Sequence, residues 1–451
     1  MIIHRISKYK TIACISALIL LLPGRFLCQS VKAMPADSPT DSLSLKTIIA
    51  DIIKNHPTIK SAEEALNNAD ARIGLARTGY YPLIDMNANY SNQGPVIKLT
   101  IPNMGTFSLF PENSYSAAIN YRQVIYDFGR TRQNIGVENE SKILSEEAVE
   151  QVKQKISLAA VNCFYTLAFL QEAVRIKDEE LDVLRSHLKY VETLRETGSA
   201  TDYQILSTNV KISSVESQKV DVLAAISIQQ AYLNCLAGYD DKNAPVVRME
   251  LDITAPLVAD DSLLSFAFNN RDEIIMSKEK AKLANLKYNL IKTMNNPVVS
   301  FMVSGGAKNG YIPELNRLRP NYIVGIGITV PIFDGLKTKY NLLQAKSALN
   351  TIEYETETVK KSITAEVIEA EEYMKSASQK IVQFELQLSQ ALKAYSLAET
   401  SFKSGVITNF ELLDASAAVS ESRLMLLKAR IDYTACIYRL RAALGERIYE
   451  L

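Results

Sequence analysis

The side chains that carry most catalytic and metal chemistry are sparse in this sequence. Three histidines occur in 451 residues. Once the apolar N-terminal leader is set aside only His56 and His187 remain, too far apart in sequence to build a histidine-rich metal site. Beyond the leader the cysteines are Cys163, Cys235 and Cys436. Three is an odd number, and all lie in apolar helical surroundings, so buried free thiols are expected rather than a disulfide framework. No nucleotide-binding loop, metal cluster or nucleophile constellation is present, and neither catalysis nor a cofactor is expected. Basic and acidic side chains number 50 each, so no net charge draws a nucleic acid.

What the sequence does instead is repeat itself. "TLRETGSATDYQILS" and "SFKSGVITNFELLDA" align on Gly198 and Gly405, and 405 − 198 = 207. The same offset joins Asp127 in "VIYDFG" to Asp334 in "PIFDG", Arg130 to Lys337, Val152 to Val359 and Gly238 to Gly445. Long rigid helices keep such a register without insertions, whereas loops drift. Upstream the offset is 215, joining Asn55 to Asn270, Ile59 to Ile274 and Pro82 to Pro297. The difference must fall between Pro82 and Asp127, which marks a variable loop there. The expected divisions are a leader at 1–33, a first repeat at 44–238, a connector at 239–260 containing Pro245 and Pro256, a second repeat at 261–445 and a tail at 446–451.

The leader reads as a secretory signal: Arg5, Lys8 and Lys10 precede "TIACISALILLLPG", and Val31 and Ala33 offer a small-residue cleavage site. Cys28 as a lipid acceptor is disfavoured by the bulky residues of "RFLC". After the leader no uninterrupted apolar run of about 18 residues could span a bilayer as a helix.

Residues 129–197 lack proline, and 336–404 lack proline and glycine. Each suits one unbroken helix of roughly 100 Å at about 1.5 Å per residue. The seam Ile381, Phe384, Leu388, Ala391, Tyr395, Ala398, Phe402 follows a 3-4 spacing. Leu181, Leu184, Leu188 and Val191 match it in the first half, which implies coiled-coil packing. At the ends of these helices Gly198 and Gly405 suit left-handed caps, and Thr201 with Gln204, like Thr408 with Glu411, suits a capping box. Both quoted stretches are therefore expected to be helix–turn–helix tips. The opposite ends alternate apolar and polar residues with period two, in hairpins at about 83–125 and 298–333, with "SNQGPVIKLTIPNMGTFSLFPENS" and "AKNGYIPELNRLR" as loops. Such strands are long enough to cross a bilayer. Four strands cannot close a barrel, so chains that crossed lipid this way would have to oligomerise. Tryptophan is absent, but Tyr80, Tyr81, Tyr90, Tyr115, Tyr121, Tyr126, Tyr311 and Tyr322 could form the interfacial girdles.

Signal, twofold repeat, hairpins feeding coiled-coil helices and glycine-containing tips together resemble the TolC family of outer-membrane efflux ducts, over about Ser42 to Gly445. The motifs that carry the likeness are "NHPTIKSAEEAL" with Pro82 closing the first helix, "VIYDFG", "PIFDG" and the paired tips. The resemblance implies a mainly α fold with transmembrane β. Long coiled-coil helices would form a trimeric α-barrel, joined to a β-barrel with four strands per protomer, twelve in the homotrimer. It implies an exit duct seated in outer-membrane lipid, served by a periplasmic adaptor (membrane fusion protein) and an inner-membrane pump of the RND or ABC type, with no enzyme activity and no cofactor.

By the same likeness the tips Gly198, Thr201, Gly405 and Thr408 would meet the adaptor. Asp414, Glu411, Phe402 and Ile407 would surround the periplasmic aperture, although Glu411 equally suits the capping box. Ile407 stands where the family's best-known member has an arginine, Phe402 where it has a tyrosine, and Gln204 where an aspartate partner would stand. Closure by that ionic latch is therefore not expected; apolar packing around Phe402 and Ile407 would replace it. The alternative class is a soluble periplasmic coiled-coil adaptor or scaffold, which would explain the helices and export but not the amphipathic hairpins.

Overall fold

The structure, a computed structural model, describes residues 43–102, 105–239, 247–248 and 262–450. The expected leader with Cys28 and nearly all of the expected connector lie outside the described residues. Among the described residues eight α-helices and six strands follow in chain order: α1 (Leu45–Asn55), α2 (Pro57–Arg77), β1 (Leu83–Asn92), β2 (Lys98–Ile101), β3 (Gly105–Ser108), β4 (Asn113–Tyr126), α3 (Arg130–Glu196), α4 (Asp202–Ala237), α5 (Leu263–Asn270), α6 (Asp272–Lys292), β5 (Val298–Lys308), β6 (Arg319–Thr329), α7 (Lys337–Lys403) and α8 (Asn409–Leu444). The long helices α3 and α7 have 67 residues each and α4 and α8 have 36 each. At about 1.5 Å per residue the longer pair spans roughly 100 Å. The seam from Ile381 to Phe402 is half-buried or buried throughout, while the residues between its positions are mostly exposed.

The first helix expected to run to Pro82 is two. Pro57 opens α2, where its missing N–H costs nothing, and its ring drives His56 out of helical geometry to φ −64°, ψ 125°. Arg271 makes the same bend between α5 and α6, at φ −68° and ψ 127°, without a proline. Its buried guanidinium is fixed by Glu273, Glu366 (2.8 Å) and the carbonyls of Ala442 and Ala443. The short helices serve as belts on the long ones. Ile48 and Ile52 of α1 pack with Phe164, Leu167 and Leu233, and Leu263 and Ala267 of α5 with Ile363, Val367 and Leu440. Each fully buried side chain of this size contributes about 2 kcal/mol.

At the other end lies one antiparallel sheet in the order β1-β4-β5-β6. Its register sets Ile84 and Met86 beside Tyr121 and Ile119, then Val303 and Gly305, then Val324 and Tyr322. One face is thus apolar across all four strands. The other carries a polar row in which the Asn120 amide donates to Asp85 (2.9 Å) and the Ser304 hydroxyl donates to the Asn120 carbonyl (2.8 Å). Among the described residues, β1 and β6 each leave one edge unpaired.

Three sequence expectations need correction. The long loop after β1 contains a second hairpin, β2–β3, because "KLTI" and "GTFS" alternate well enough to set Leu99 opposite Phe107 and to hydrogen-bond Thr100 to Thr106 (2.8 Å). β6 ends at Thr329, short of 333, since Pro331 has no N–H for the ladder; Ile332 and Phe333 beyond it are 96% and 78% exposed. Of the three free thiols only Cys163 is buried; Cys436 is half-buried and Cys235 is exposed on α4. Its surroundings on α4 are apolar but open. Val220, Leu223, Ile228 and Tyr232 are all exposed.

Strand turns into helix through an aspartate at both junctions. Phe128 and Gly129 in one, and Gly335 and Leu336 in the other, take left-handed conformations, which frees the first helical N–H groups for a side-chain acceptor. Asp127 accepts from Gly129 N–H (3.0 Å) and from the backbone and hydroxyl of Thr131; Asp334 accepts from Thr338 N–H (2.8 Å). Burial opposes ionisation of Asp127, but the hydrogen bonds from Thr131 and Gly129 and the charge of Arg130 outweigh it and hold the carboxyl below its usual range. A depressed carboxyl stabilises the fold above the unfolded-state pKa and loses that contribution as pH falls through the lower folded value. Asp127→Asn is therefore expected to flatten the acid limb of a thermal-denaturation profile below about pH 4. Asp127→Ala is expected to cost about 1 kcal/mol at neutral pH, read as faster amide exchange in the first turn of α3.

Candidate functional site

The end of the molecule farthest from the sheet is formed by the two tips, and local chemistry builds them. α3 ends with Gly198 at φ 76° and α7 with Gly405 at φ 74°. Gly198 N–H donates to Arg195 O and Ser199 N–H to Leu194 O; Gly405 N–H donates to Phe402 O and Val406 N–H to Ser401 O, all within 2.9 Å. The next helix starts on a cap. Thr201 N–H donates to Gln204 Oε1 (3.1 Å). Thr408 N–H and hydroxyl donate to Glu411 Oε2 (2.7 and 2.8 Å), while Glu411 N–H donates back to Thr408 Oγ1 (3.3 Å). These bonds, the backbone one first, hold the Glu411 carboxyl below its usual range.

Between the tips lies a small apolar core of Val191, Phe402 and Leu412, with Ile205, Tyr395 and Ile407 packed against it. Phe402 stands edge-on to His187 (5.2 Å between centroids) and Tyr190 (6.4 Å). It sits inside the chain's own fold, where it joins α7 to α3. Ile407 is half-buried beside it, whereas Glu411 and Asp414 are exposed on α8. Asp414 makes no hydrogen bond or ion pair among the described residues, so its charge is available; that of Glu411 is engaged by the cap.

The polar joint between the hairpins escaped sequence reasoning. Asn409 is 4% exposed and reaches across from α8 to α3 and α4. Its Oδ1 meets His187 Nε2 at 2.6 Å, and its amide donates to Gln204 O (3.3 Å), Ser207 Oγ (3.1 Å) and Thr208 Oγ1 (3.2 Å). The position 207 earlier is Asp202, which instead pairs outward with Arg195 (2.5 Å). That substitution between otherwise matching tips was the available signal. Further along, Ser420 donates to the buried Glu180 (2.6 Å), which Lys177 also holds (2.9 Å), and Arg423 pairs with Glu179 (2.6 Å). The tips also present exposed apolar residues outward: Tyr203, Leu206 and Val210 on one, Val406 and Phe410 on the other. Among the described residues no three metal-binding side chains come together to hold an ion.

Comparison with known proteins gives one consistent answer. The family model described as outer membrane efflux protein matches residues 48–239 and 263–446. The outer membrane efflux protein BepC of Brucella suis is 18% identical over 90% of this chain and 86% of its own length. The probable efflux pump outer membrane protein TtgC of Pseudomonas putida is 21% identical over 90% and 84%. The alkaline protease secretion protein AprF of Pseudomonas aeruginosa is 21% identical over 74% and 70%. Among solved structures, CusC superposes with a TM-score of 0.75 at 18% identity, covering 89% of this chain and 92% of its own. VceC from Vibrio cholerae superposes with 0.73 at 18%, covering 90% and 96%.

Asn409→Ala leaves the His187 ring nitrogen without its partner and strips the amide from Ser207 and Thr208, whose hydroxyls keep their bonds to Gln204 O, at a cost of about 1–3 kcal/mol. The expected result is faster hydrogen exchange in residues 198–210 with the sheet unaffected. Phe402→Ala is expected to cost more, roughly 3–5 kcal/mol of local packing, and to loosen both tips in the same measurement.

Proposed function

The chain belongs to the outer membrane efflux protein family, and from that premise we propose that three copies assemble into the exit duct of a tripartite efflux or type I secretion system. The four-stranded sheet, with one continuous apolar face and two open edges, carries this reading. In hydrocarbon an unpaired edge leaves backbone groups with no partner. Pairing β6 of one protomer with β1 of the next would close a barrel of twelve strands around the polar row of Asp85, Asn120 and Ser304. Strands of 10 to 14 residues are long enough to cross at a tilt. Tyr80, Tyr81, Tyr126 and Phe128 are exposed at the helical end and Tyr90 and Tyr115 at the other, which suits two aromatic girdles.

The helices support the same stoichiometry. α3 packs on α8 within the protomer, so α4 and α7 are left as flanks. The exposed apolar residues of α4, together with Val382, Leu386 and Leu397 on α7, are what a neighbouring copy would cover. The two halves, 44–238 and 261–445, are one structural unit used twice, which gives a homotrimer six similar hairpins around a water-filled path. Energy comes from an inner-membrane pump of the RND or ABC type, reached through a periplasmic adaptor that docks at the tips around Gly198, Thr201, Gly405 and Thr408. The duct itself works without catalysis. TtgC and AprF, named for efflux and for protease secretion respectively, support both kinds of cargo.

At the periplasmic mouth Asp414 supplies the charge that faces the path, with Glu411 held in its cap beside it. Phe402, Ile407 and the Asn409 joint hold the hairpins together in the closed state. Outward rotation of one hairpin would have to break that joint.

The protein extracted from outer membranes is expected to sediment as three copies in nonionic detergent and to give single-channel currents in planar bilayers. A monomer without conductance refutes the duct. In the same recordings Asp414→Asn is expected to lower cation preference, while an unchanged reversal potential removes Asp414 from the path.

A further inference from the structure

A second concentration of charge lies away from both the tips and the sheet. Near the middle of α7 a groove of about 500 Å³ opens against α8, with Asn162 of α3 at its rim. Lys380, Lys428 and Arg439 line it, over an apolar floor that includes Phe384 and Met425. None of these three cations forms an ion pair with a carboxylate of the described residues. Nearby cations on the same helices do: Lys375 pairs with Glu371, Arg423 with Glu179 and Arg430 with Glu385. Arg439 lies over the ring of Tyr373, 5.7 Å from its centroid, a contact that leaves the guanidinium edge free to donate. Asp432 is the carboxylate in the lining, and burial pushes it up against the pull of Lys428 and Lys380. Positive charge is in excess whichever state Asp432 takes.

Helix packing alone does not call for these cations. The residues 207 positions earlier, Ala173, Asp221 and Tyr232, occupy the matching places on α3 and α4, and that pair forms without positive charge there. The basic groove is therefore specific to the second half.

We propose that this groove binds an amphipathic organic anion, an aromatic or alicyclic body carrying one carboxylate or sulfonate. Its volume falls within the range of about 300–1,000 Å³ usual for small-molecule sites. The anionic head would take charge-assisted hydrogen bonds from Lys380, Lys428 and Arg439, while the body lies over Phe384 and Met425. The site goes beyond the duct reading and does not depend on it, since every residue in it belongs to one chain.

Calorimetric titration of the full-length protein in nonionic detergent with naphthoate, beside neutral naphthalenemethanol, tests the assignment. Expected are one saturable naphthoate site per chain, about tenfold weaker binding in a Lys380→Gln/Arg439→Gln variant, a similar loss in raised salt, and weaker binding of the neutral analogue. Equal affinity in the variant, equal affinity for the neutral analogue, or no saturable binding overturns it. So does a change in the variant's sedimentation in the same detergent, which would assign these cations to contacts between copies.

Discussion

A sheet edge placed in hydrocarbon has nothing to hydrogen-bond with except another strand, and much of this architecture follows from that restriction. β1 and β6 are ten and eleven residues long and unpaired on their outer sides. In a soluble protein such edges are usually shortened, charged or covered. Here they are bordered by exposed Ile84, Met86, Tyr322, Val324, Ile326 and Ile328, an arrangement stable in contact with lipid and more of its own kind. On the proposed assembly the chain would be one sector of a larger ring, and its open flanks α4 and α7 would repeat at the helical level what the sheet edges do in the membrane.

The helices solve a different problem, that of carrying structure over roughly 100 Å without a globular core. They do so with a narrow seam and with belts. Ile48 and Ile52 of α1, and Leu263 and Ala267 of α5, pack on the long helices along their course, and the belts attach through bends at His56 and Arg271. The two bends have one shape and two causes: a proline following His56, and a buried arginine held by Glu273, Glu366 and two carbonyls. Gly445 shows how close this packing is. A Cβ there would fall 2.7 Å from the carbonyl carbon of Asn270, so glycine is needed for backbone approach as well as for its left-handed φ of 86°.

The two halves differ at a few positions that matter to the packing and charge of the tips and groove. Asn409 ties the hairpins together where its counterpart Asp202 faces Arg195. Asp414 carries a charge where the first half has Ser207. Lys380, Lys428 and Arg439 gather in one groove where Ala173, Asp221 and Tyr232 stand in the other. The two matching hairpins of the chain acquire distinct joints because these few positions differ, while the spacing of glycines, aspartates and seam residues is kept.

Periodicity and punctuation settled the elements in advance. The 3-4 seam ending at Phe402, the left-handed Gly198 and Gly405, the capping pairs at Thr201 and Thr408 and the alternation within the strands are local rules, satisfied by residues a few positions apart, so they are legible without coordinates. The short β2–β3 hairpin, the early end of β6 at Pro331 and the exposure of Cys235 were misread because each depends on what lies beside the segment. The placement of Phe402 inside the chain's own fold, the His187–Asn409 joint across 222 positions and the gathering of three cations into one groove were decided only by tertiary structure. They rest on contacts between helices distant in the chain, and no local spacing encodes which faces of those helices will meet.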